Sequence, residues 1–280
     1  MLRITVLGSG SSGNCALVVG ERVRFLIDAG LSSKQICLRL GQVGVDPGSL
    51  DGILLTHEHG DHVRGLDVFC KRHEVPVVCT PMTREVLQRS LKVPKQWKLV
   101  PSGGDFELMG LSAATFPVPH DAVDPVGIVL RDGESGLGVV SDVGYVTNLM
   151  RERLRGLETI FVEANYDEKL LEEDTKRPWS TKQRISARHG HLSNVQTAEL
   201  VASVAGPHLN RVILGHLSDD CNCPVLAREM ILEVLGEKDC GHVDVCCAGR
   251  VEPTELWEAA PRRERPVVGA DGERVQAELL

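Results

Sequence analysis

The most constraining feature of the sequence is the run of residues 57–62, which reads HEHGDH. Five of its six side chains are imidazoles or carboxylates, the ligands that zinc, manganese and iron prefer. The run follows directly on residues 52–56 (GILLT), whose aliphatic composition predicts a buried strand. A histidine-rich surface turn is the alternative, but it does not explain such a density of ligand residues at a strand end. We therefore predict a metal site there.

The spacing within this run predicts ligands for two ions. His57 and His59 are two residues apart, so in an extended chain they project to the same side. Gly60 permits a change of direction, after which Asp61 and His62 can face a second ion. Asp61 is also assigned a catalytic role, and its replacement by Ala is expected to abolish activity.

The hydrophobic pattern of the remaining chain predicts an α/β fold. Strands are predicted over residues 2–7 and 23–27, joined through the loop GSGSSGN, and a helix follows from Ser32 or Ser33 to about residue 40. Further strands are predicted over residues 75–79, 111–118, 127–131, 137–141, 159–163, 211–214 and 242–246. Helices are predicted over residues 83–91, 148–154, 194–204 and 224–235. The alternation of strands and helices around a β-rich middle indicates two packed sheets with helices outside.

Length and composition favour one domain with a tail. A chain of 280 residues that is 42% hydrophobic can bury the core of one large α/β domain, which we assign to residues 1–250, although the length alone would also permit two smaller domains. Residues 251–280 are rich in charge, Pro and Ala without periodicity, which predicts a flexible C-terminal tail.

Export and membrane insertion find no support in the sequence. The opening residues lack a basic segment followed by a long apolar one, and no eighteen apolar residues run together, so a cytoplasmic location without membrane contact is predicted. The nine cysteines are scattered and odd in number, which favours free thiols. The net charge of -8 argues against binding polyanions over the whole surface, although it permits a local basic track. No obligate protein partner is indicated.

The pattern HxHxDH resembles the signature of the metallo-β-lactamase superfamily, and this resemblance implies an αββα sandwich. In that family further ligands follow later strands in a fixed order, and His120, Asp142 and His216 stand at the matching positions. Asp28 matches an early aspartate that orients the histidine loop. The implied ligands are His57, His59 and His120 for one ion and Asp61, His62 and His216 for the other, with Asp142 bridging.

A site of this kind suits the hydrolysis of phosphodiesters. Two divalent ions about 3.5–4 Å apart lower the pKa of a bridging water and stabilise a displaced oxygen. Zinc is the default identity of the ions, and the same ligand set accepts manganese or iron. Asp28 and Glu58 are candidates to hold the second ring nitrogen of ligand histidines, and Glu58 could equally be a solvated loop residue.

A basic segment, residues 176–191, is predicted to contact substrate phosphates. It holds five Lys or Arg residues and no acid, and Lys182, Arg184 and Arg188 are the candidate contacts. Trp179 can stack on a base, although a packing role is the favoured interpretation. The alternative is a solvated loop whose cations offset the acidic stretch that precedes it.

The residues that open the predicted helix 194–204 are a second candidate contact. Ser193 is predicted to be its N-cap, and Ser193 and Asn194 are assigned to phosphate binding because exposed amides lie at a helix start. This segment resembles the histidine-and-serine helix start of transfer-RNA-processing relatives. His191 is accordingly the candidate to contact the scissile phosphate or to protonate the leaving oxygen, and a capping or packing histidine is the alternative.

A closer resemblance, to the bacterial YycJ/WalJ-like branch of the superfamily, covers most of residues 1–250. It rests on GSGSSGNC, HEHxDH, EANYD at residues 163–167, GHLSN at 190–194 and LGHLS at 214–218. Tyr166 stands where that branch has His, and Cys221 stands where it has the first of two Asn residues. The resemblance implies a metal-dependent 5′ to 3′ exonuclease with DNA as its substrate. A hydrolase of a small cyclic phosphate, thioester or lactone is the alternative, and a metal-binding scaffold without turnover is a third class.

Overall fold

In the part of the chain that the structure describes, two β-sheets of seven strands each pack face to face, and helices cover both outer surfaces. The computed structural model describes residues 1–92 and 96–259. Both sheets contain parallel and antiparallel pairs. The predicted αββα sandwich of two mixed sheets is therefore confirmed.

The first sheet is antiparallel at one end and parallel at the other. Its strands are β1 (Leu2–Gly8), β2 (Cys15–Val19), β3 (Arg24–Ile27), β4 (Gly52–Leu54), β5 (Val77–Cys79), β6 (Trp97–Leu99) and β14 (Trp257–Ala259). They lie in the order β14-β1-β2-β3-β4-β5-β6. The strands from β14 to β3 are antiparallel and those from β3 to β6 are parallel.

The second sheet follows chain order and has the same two halves. Its strands are β7 (Gly104–Leu108), β8 (Leu111–Pro117), β9 (Val126–Asp132), β10 (Ser135–Val140), β11 (Thr159–Glu163), β12 (Arg211–Gly215) and β13 (Asp244–Cys247). Pairs from β7 to β10 are antiparallel, and pairs from β10 to β13 are parallel. The carboxyl ends of β10, β11 and β12 consequently meet at one edge.

Helices connect the strands and pack on the outer faces. They are α1 (Ser33–Gln42), α2 (Gly60–Val63), α3 (Leu66–His73), α4 (Pro81–Ser90), α5 (Asn148–Leu154), α6 (Glu168–Glu173), α7 (Trp179–Ile185), α8 (Asn194–Val204) and α9 (Pro224–Glu237). Helices α1, α3 and α4 cover the first sheet, and α5, α8 and α9 cover the second. Within the described ranges, no helix combines the length and the apolar character that crossing a membrane requires.

Both faces of the central strands of each sheet are buried, which explains their aliphatic composition. In β3, Phe25 and Ile27 lie in the layer between the sheets, whereas Leu26 packs against the outer helices. In β12, Ile213 faces the inner layer and Val212 faces outward. A strand buried on both faces has no polar alternation, so it reads as a continuous hydrophobic run.

The sequence prediction missed several short elements. It joined β1 directly to β3 and so omitted β2. It also omitted β6 and β7, both of which have solvent-exposed residues. The short helices α2, α3, α6 and α7 were also not predicted. Elements of this length carry little periodicity, and their position is set by tertiary packing.

The predicted tail begins too early. Trp257–Ala259 forms strand β14, which pairs antiparallel with β1, and the Trp257 indole donates to Thr159 Oγ1 at 3.1 Å. The Arg211 guanidinium lies 4.2 Å from the Trp257 ring centroid. Because these contacts join residues that are distant in the sequence, no local sequence pattern predicts them. Residues 260–280 lie outside the described residues, so that part of the predicted tail is untested.

Candidate metal centre

Most of the predicted site residues lie at strand ends or in the loops that follow strands: Asp28, His57, Glu58, His59, His120, Asp142 and His216. Asp28 follows β3, and Asp142 and His216 follow β10 and β12. All three have positive φ, of 60°, 55° and 52°. Such backbone is strained for a residue with a side chain, costing on the order of 1–3 kcal/mol each, and such strain clusters at functional sites.

The HEHGDH run turns through a short helix. His59 is the N-cap residue of α2, and that helical turn carries Asp61 and His62 toward the sheet edge. The conformational freedom expected of Gly60 is not what produces the turn. Gly60 is the first helical residue and is not among the residues with positive φ.

His57, His59 and His120 form the first ligand group. One ring nitrogen of each lies within 4.8 Å of the others. The ring centroid of His57 lies 4.6 Å from the ring centroid of His59 and 5.2 Å from that of His120. His120 Nδ1 lies 3.1 Å from the carbonyl oxygen of Gly190, which fixes the ring so that Nε2 faces the other two histidines.

The second ligand group comprises Asp61, His62, Asp142 and His216, again with ligand atoms within 4.8 Å of one another. Asp142 Oδ2 lies 2.6 Å from His62 Nε2, and Asp142 Oδ1 lies 2.7 Å from His216 Nδ1. Asp142 Oδ2 also lies 3.3 Å from Nε2 of His57, which belongs to the first group. The structure therefore brings all seven sequence-predicted ligands together, with Asp142 between the two groups.

The protein alone does not satisfy this cluster. His57 Nε2 and His216 Nε2 are buried without a hydrogen bond among the described residues. The nearest carboxylate oxygens, on Asp142 and Asp61, lie 3.3 and 3.4 Å from these atoms without forming a hydrogen bond to them. Buried nitrogen lone pairs beside buried carboxylates form a donor set that fits divalent cations.

Electrostatics at the cluster also favour cations. Burial and the neighbouring His62 lower the pKa of His57 to about 4. Burial opposes a charge on His62 as well, but the Asp142 and Asp28 carboxylates outweigh it and raise the pKa of His62 to about 10. The carboxylates thus hold protons on neighbouring imidazoles, and metal binding would release them.

Asp28 lies behind the second ligand group, where the sequence predicted it. Its Oδ2 lies 2.8 Å from His62 Nδ1, on the ring side opposite the Nε2 atom that faces Asp142. Asp28 Oδ1 accepts a hydrogen bond from the backbone N–H of Thr56 at 2.9 Å, and Oδ2 accepts one from the Thr56 hydroxyl at 2.8 Å. These contacts fix the His62 ring orientation.

Glu58 has a different partner from the one predicted. Its Oε1 accepts a hydrogen bond from the backbone N–H of Val123 at 2.8 Å. Within the described ranges, its carboxylate forms no hydrogen bond with a histidine. Glu58 therefore ties the histidine run to the loop after β8, rather than holding a ligand ring.

Glu163 is the main site residue that the sequence analysis missed. Its Oε1 lies 2.6 Å from His191 Nδ1 and 2.9 Å from His216 Nδ1, while Oε2 accepts from the backbone N–H of Val143 at 2.8 Å. Burial opposes a proton on His191, but Glu163 outweighs this effect and raises the pKa of His191. A signal existed, because Glu163 ends β11, which lies between the strands that lead to Asp142 and His216.

Two buried asparagines were also missed. The Asn14 Nδ2 atom lies 3.1 Å from His62 Nε2, and its backbone N–H donates to the carbonyl oxygen of Asp61 at 2.7 Å. Asn165 donates through Nδ2 to the carbonyl oxygen of His216 at 2.8 Å. Both fix loops that carry ligands, a role that depends on contacts between distant parts of the chain.

A cavity of about 280 Å³ opens over the two ligand groups. His191 lines it, as do Asp121 and the α7 residues Thr181 and Arg184. Among the described residues, Arg184 is the only lysine or arginine in its lining. His191 thus stands at the cavity as predicted, and one cation of the basic segment reaches it.

The other proposed phosphate contacts lie outside this cavity. Lys182 donates to the carbonyl oxygen of Glu172 at 2.8 Å, and the Arg188 guanidinium lies 4.7 Å from the Tyr145 ring centroid. The packing role favoured for Trp179 is wrong, because its side chain is 69% exposed.

Ser193 and Asn194 do not have free groups for a phosphate. Ser193 is the predicted N-cap of α8, but it is fully buried and its hydroxyl donates to Glu168 at 3.0 Å. The Asn194 amide pairs with the Asn222 amide through two hydrogen bonds of 2.9 Å. Their backbone N–H groups donate to Gln196 Oε1 and to the Tyr166 carbonyl oxygen. Assignment of these two residues to phosphate binding is therefore not supported.

Replacing Gly30 by Ala is expected to damage the site through packing. A Cβ atom at Gly30 would overlap the backbone carbonyl of Asp61, so the ligand loop would have to move. Overpacking of this kind costs about 1–3 kcal/mol in the free energy of unfolding. Urea unfolding of the variant measures the loss of stability, and metal analysis measures the displacement of the ligand loop.

Gly41→Ala is the matched control, since a Cβ atom there meets nothing and a helical Gly to Ala change stabilises by about 0.5–1 kcal/mol. Equal stability of the two variants would contradict this account.

The fold and the ligand order define a class of protein, and comparison with known proteins agrees. A family model described as "Beta-lactamase superfamily domain" matches residues 23–217. The chain therefore belongs to the metallo-β-lactamase superfamily, and it is a metal-dependent hydrolase.

Particular relatives fall in one branch of that superfamily. The chain is 34% identical over 242 residues to Exodeoxyribonuclease YycJ from Bacillus anthracis, covering 86% of this chain and 91% of the relative. It is 32% identical to Exodeoxyribonuclease WalJ from Streptococcus pneumoniae, covering 85% and 90%. The crystal structure of the metallo-β-lactamase fold protein YhfI from Bacillus subtilis aligns with a TM-score of 0.69 at 14% identity, covering 91% of this chain and 100% of that one. The resemblance to the YycJ/WalJ-like branch is confirmed.

Proposed function

We propose that the chain is a two-metal nuclease that degrades DNA from a strand end. The observation that carries this proposal is the pair of ligand groups joined by Asp142 beneath a cavity that one arginine lines. The similarity to two exodeoxyribonucleases supports DNA as the substrate class. The 5′ to 3′ direction rests on the resemblance to the YycJ/WalJ-like branch.

Zinc is the proposed ion, with manganese or iron accepted by the same imidazole and carboxylate ligands. His57, His59 and His120 would hold one ion, and Asp61, His62 and His216 the other, with Asp142 shared. Bound there, two ions supply an activated water and stabilise negative charge on the displaced oxygen. Asp28 would support His62, as its 2.8 Å contact indicates.

The proposed general acid is His191. Its Nδ1 is engaged by Glu163, so Nε2 is the nitrogen free to give a proton to the leaving oxygen. The raised pKa of His191 keeps more of it protonated near neutral pH. The same carboxylate oxygen lies against His216, so Glu163 fixes the proposed acid relative to the proposed ligand.

The size of the cavity supports action at a strand end. At about 280 Å³ it is near the lower limit for ligand pockets, which span roughly 300–1,000 Å³, and a duplex does not fit. The terminal nucleotide of a single strand is the part of DNA that such a cavity can admit. The same size also favours the second candidate, a hydrolase of a small cyclic phosphate, thioester or lactone.

A digestion assay separates these candidates. Single- and double-stranded oligonucleotides labelled at either the 5′ or the 3′ end are incubated with the protein and zinc or manganese. Release of a labelled mononucleotide from the 5′ end at the earliest times supports the proposed direction. Absence of nucleotide release with either metal, alongside hydrolysis of a small ester, would favour the second candidate.

Charge reversal in the basic segment provides a further test of a polymeric substrate. Lys182→Glu combined with Arg188→Glu is expected to raise the KM for DNA at least about tenfold at low salt, because phosphate contacts dominate affinity for nucleic acids. Hydrolysis of bis(4-nitrophenyl) phosphate should be little affected, since neither residue lines the cavity. The matched control is Lys71→Glu with Arg72→Glu, a pair of exposed cations on α3. Equal losses in the two double variants would remove the basic segment from the proposal.

A further inference from the structure

The cavity over the ligand groups contains an ion pair whose role the metal ligands do not explain. Arg184 Nε and Nη2 both donate to Asp121 Oδ2, at 3.1 and 2.8 Å. Both residues line the cavity. Asp121 directly follows His120 in the chain, and its second oxygen, Oδ1, lies 3.4 Å from His120 Nε2. The carboxylate therefore lies between the guanidinium and a ligand histidine.

Helix α7, which carries Arg184, packs on the rest of the protein through the partly buried Ile185, which lies against a small hydrophobic cluster. None of its residues is buried. A helix without a buried face has low local stability, so polar contacts decide where its side chains lie. Arg184 is 74% exposed, and its contact with Asp121 links α7 to the loop that carries His120. Without Asp121, the Arg184 side chain would lose the contact that holds it at the cavity.

The geometry leaves part of the guanidinium available. Arg184 uses Nε and Nη2 on Asp121, and no contact of its Nη1 is found among the described residues. An arginine held on one edge presents its remaining N–H groups in a fixed direction, which suits the oxygens of a phosphate. An exposed ion pair adds little to folding stability, so loss of the pair should not unfold the protein.

We propose that Asp121 is a positioning residue that holds the Arg184 guanidinium against the substrate phosphate next to the ligand groups. Asp121 acts on binding through Arg184 and does not itself touch the substrate. The inference rests on the proposed phosphodiester chemistry, and it adds a determinant of phosphate affinity that is separate from the metal ligands.

The test is a double-mutant cycle with separate KM and kcat values. Asp121→Asn, Arg184→Ala and the double variant are assayed on bis(4-nitrophenyl) phosphate and on a single-stranded oligonucleotide. Asp121→Asn is expected to raise KM about five- to tenfold with kcat within about twofold, the signature of lost substrate binding. The double variant should be no worse than Arg184→Ala alone, because Asp121 acts through Arg184. Metal content should equal that of the unaltered protein.

The matched control is Asp105→Asn, which breaks the 2.8 Å ion pair between Arg153 and Asp105 away from the ligand groups. It should leave KM unchanged. Additive losses in the cycle, an unchanged KM in Asp121→Asn, or a lower kcat that follows a lower metal content would overturn the inference. The last result would mean that Asp121 acts on His120.

Failure of this inference is distinguishable from failure of the proposed function. If the unaltered protein hydrolyses the small diester but not DNA, the DNA proposal fails and the KM for the diester still decides the role of Asp121. If neither substrate is hydrolysed, calorimetric titration of the metal-loaded protein with thymidine 5′-monophosphate tests the role of Asp121 instead. A weaker affinity in Asp121→Asn and Arg184→Ala supports the inference, and equal affinities overturn it.

Discussion

Replacing Asp142 by Asn is expected to remove most of the bound metal and nearly all hydrolysis. The Asp142 carboxylate is buried and contacts His62 and His216 of one ligand group and His57 of the other. Loss of a charge from a buried charged cluster costs about 3–5 kcal/mol. Expressed as metal affinity, this corresponds to roughly a 10²- to 10⁴-fold loss. Elemental analysis of the purified variant, with a DNA digestion assay, measures both effects.

Asp244→Asn is the control for this change. Asp244 forms an ion pair of 3.0 Å with Arg211 and is half exposed, so it tests the loss of an acid outside the ligand groups. Its metal content should match that of the unaltered protein. Two ions per chain retained in Asp142→Asn would refute the shared role of Asp142, even if activity fell.

The ligand set was predictable because its main part is local. Residues 57–62 carry four of the seven predicted ligands in one continuous segment after a strand. His120, Asp142 and His216 came from chain order and a family resemblance, and the structure brings them to the same edge. Spacing alone could not show the left-handed backbone at Asp142 and His216, because that conformation is imposed by the surrounding fold.

The supporting residues were harder to predict because their roles depend on tertiary contacts. Nothing in the local sequence distinguishes Glu163 from the other residues of its buried strand. Only the parallel pairing of β11 with β10 and β12 brings its carboxylate against His191 and His216. The opposite error occurred at Ser193. Its capping role was predicted correctly from the local sequence, but its backbone N–H, which was expected to be free for a phosphate, donates to Gln196, and its hydroxyl donates to Glu168. Local chemistry was thus identified, but its partner was not.

The fold shows the same division between local and tertiary signals. The predicted helices 148–154 and 194–204 coincide with α5 and α8, whose N-caps Thr147 and Ser193 mark their starts. Strand β14 was assigned to a tail because three residues carry no periodicity. Its position is fixed by pairing with β1 and by the contact of Trp257 with Arg211.

Replacing His191 by Ala is expected to reduce DNA cleavage by about 10²- to 10⁴-fold, the usual contribution of a general acid. The loss should depend on the leaving group. The deoxyribose oxygen displaced from DNA needs a proton, whereas 4-nitrophenolate leaves as a stable anion and does not. The same variant should therefore keep most of its activity on bis(4-nitrophenyl) phosphate. The measurement is the ratio of the rate on DNA to the rate on bis(4-nitrophenyl) phosphate, taken on samples of equal metal content. A ratio that falls in His191→Ala supports the role of His191 as general acid.

Glu163→Gln should show the same dependence on the leaving group in weaker form, because it removes the charge that keeps His191 protonated but keeps a hydrogen-bonding side chain in place. Removal of such a supporting partner typically costs 10- to 100-fold. His208→Ala provides the control, since His208 is an exposed histidine away from the cavity lining. Equal losses on both substrates in His191→Ala would mean that His191 holds the ligand groups in place instead of donating a proton, and Glu163 would then have the same structural role.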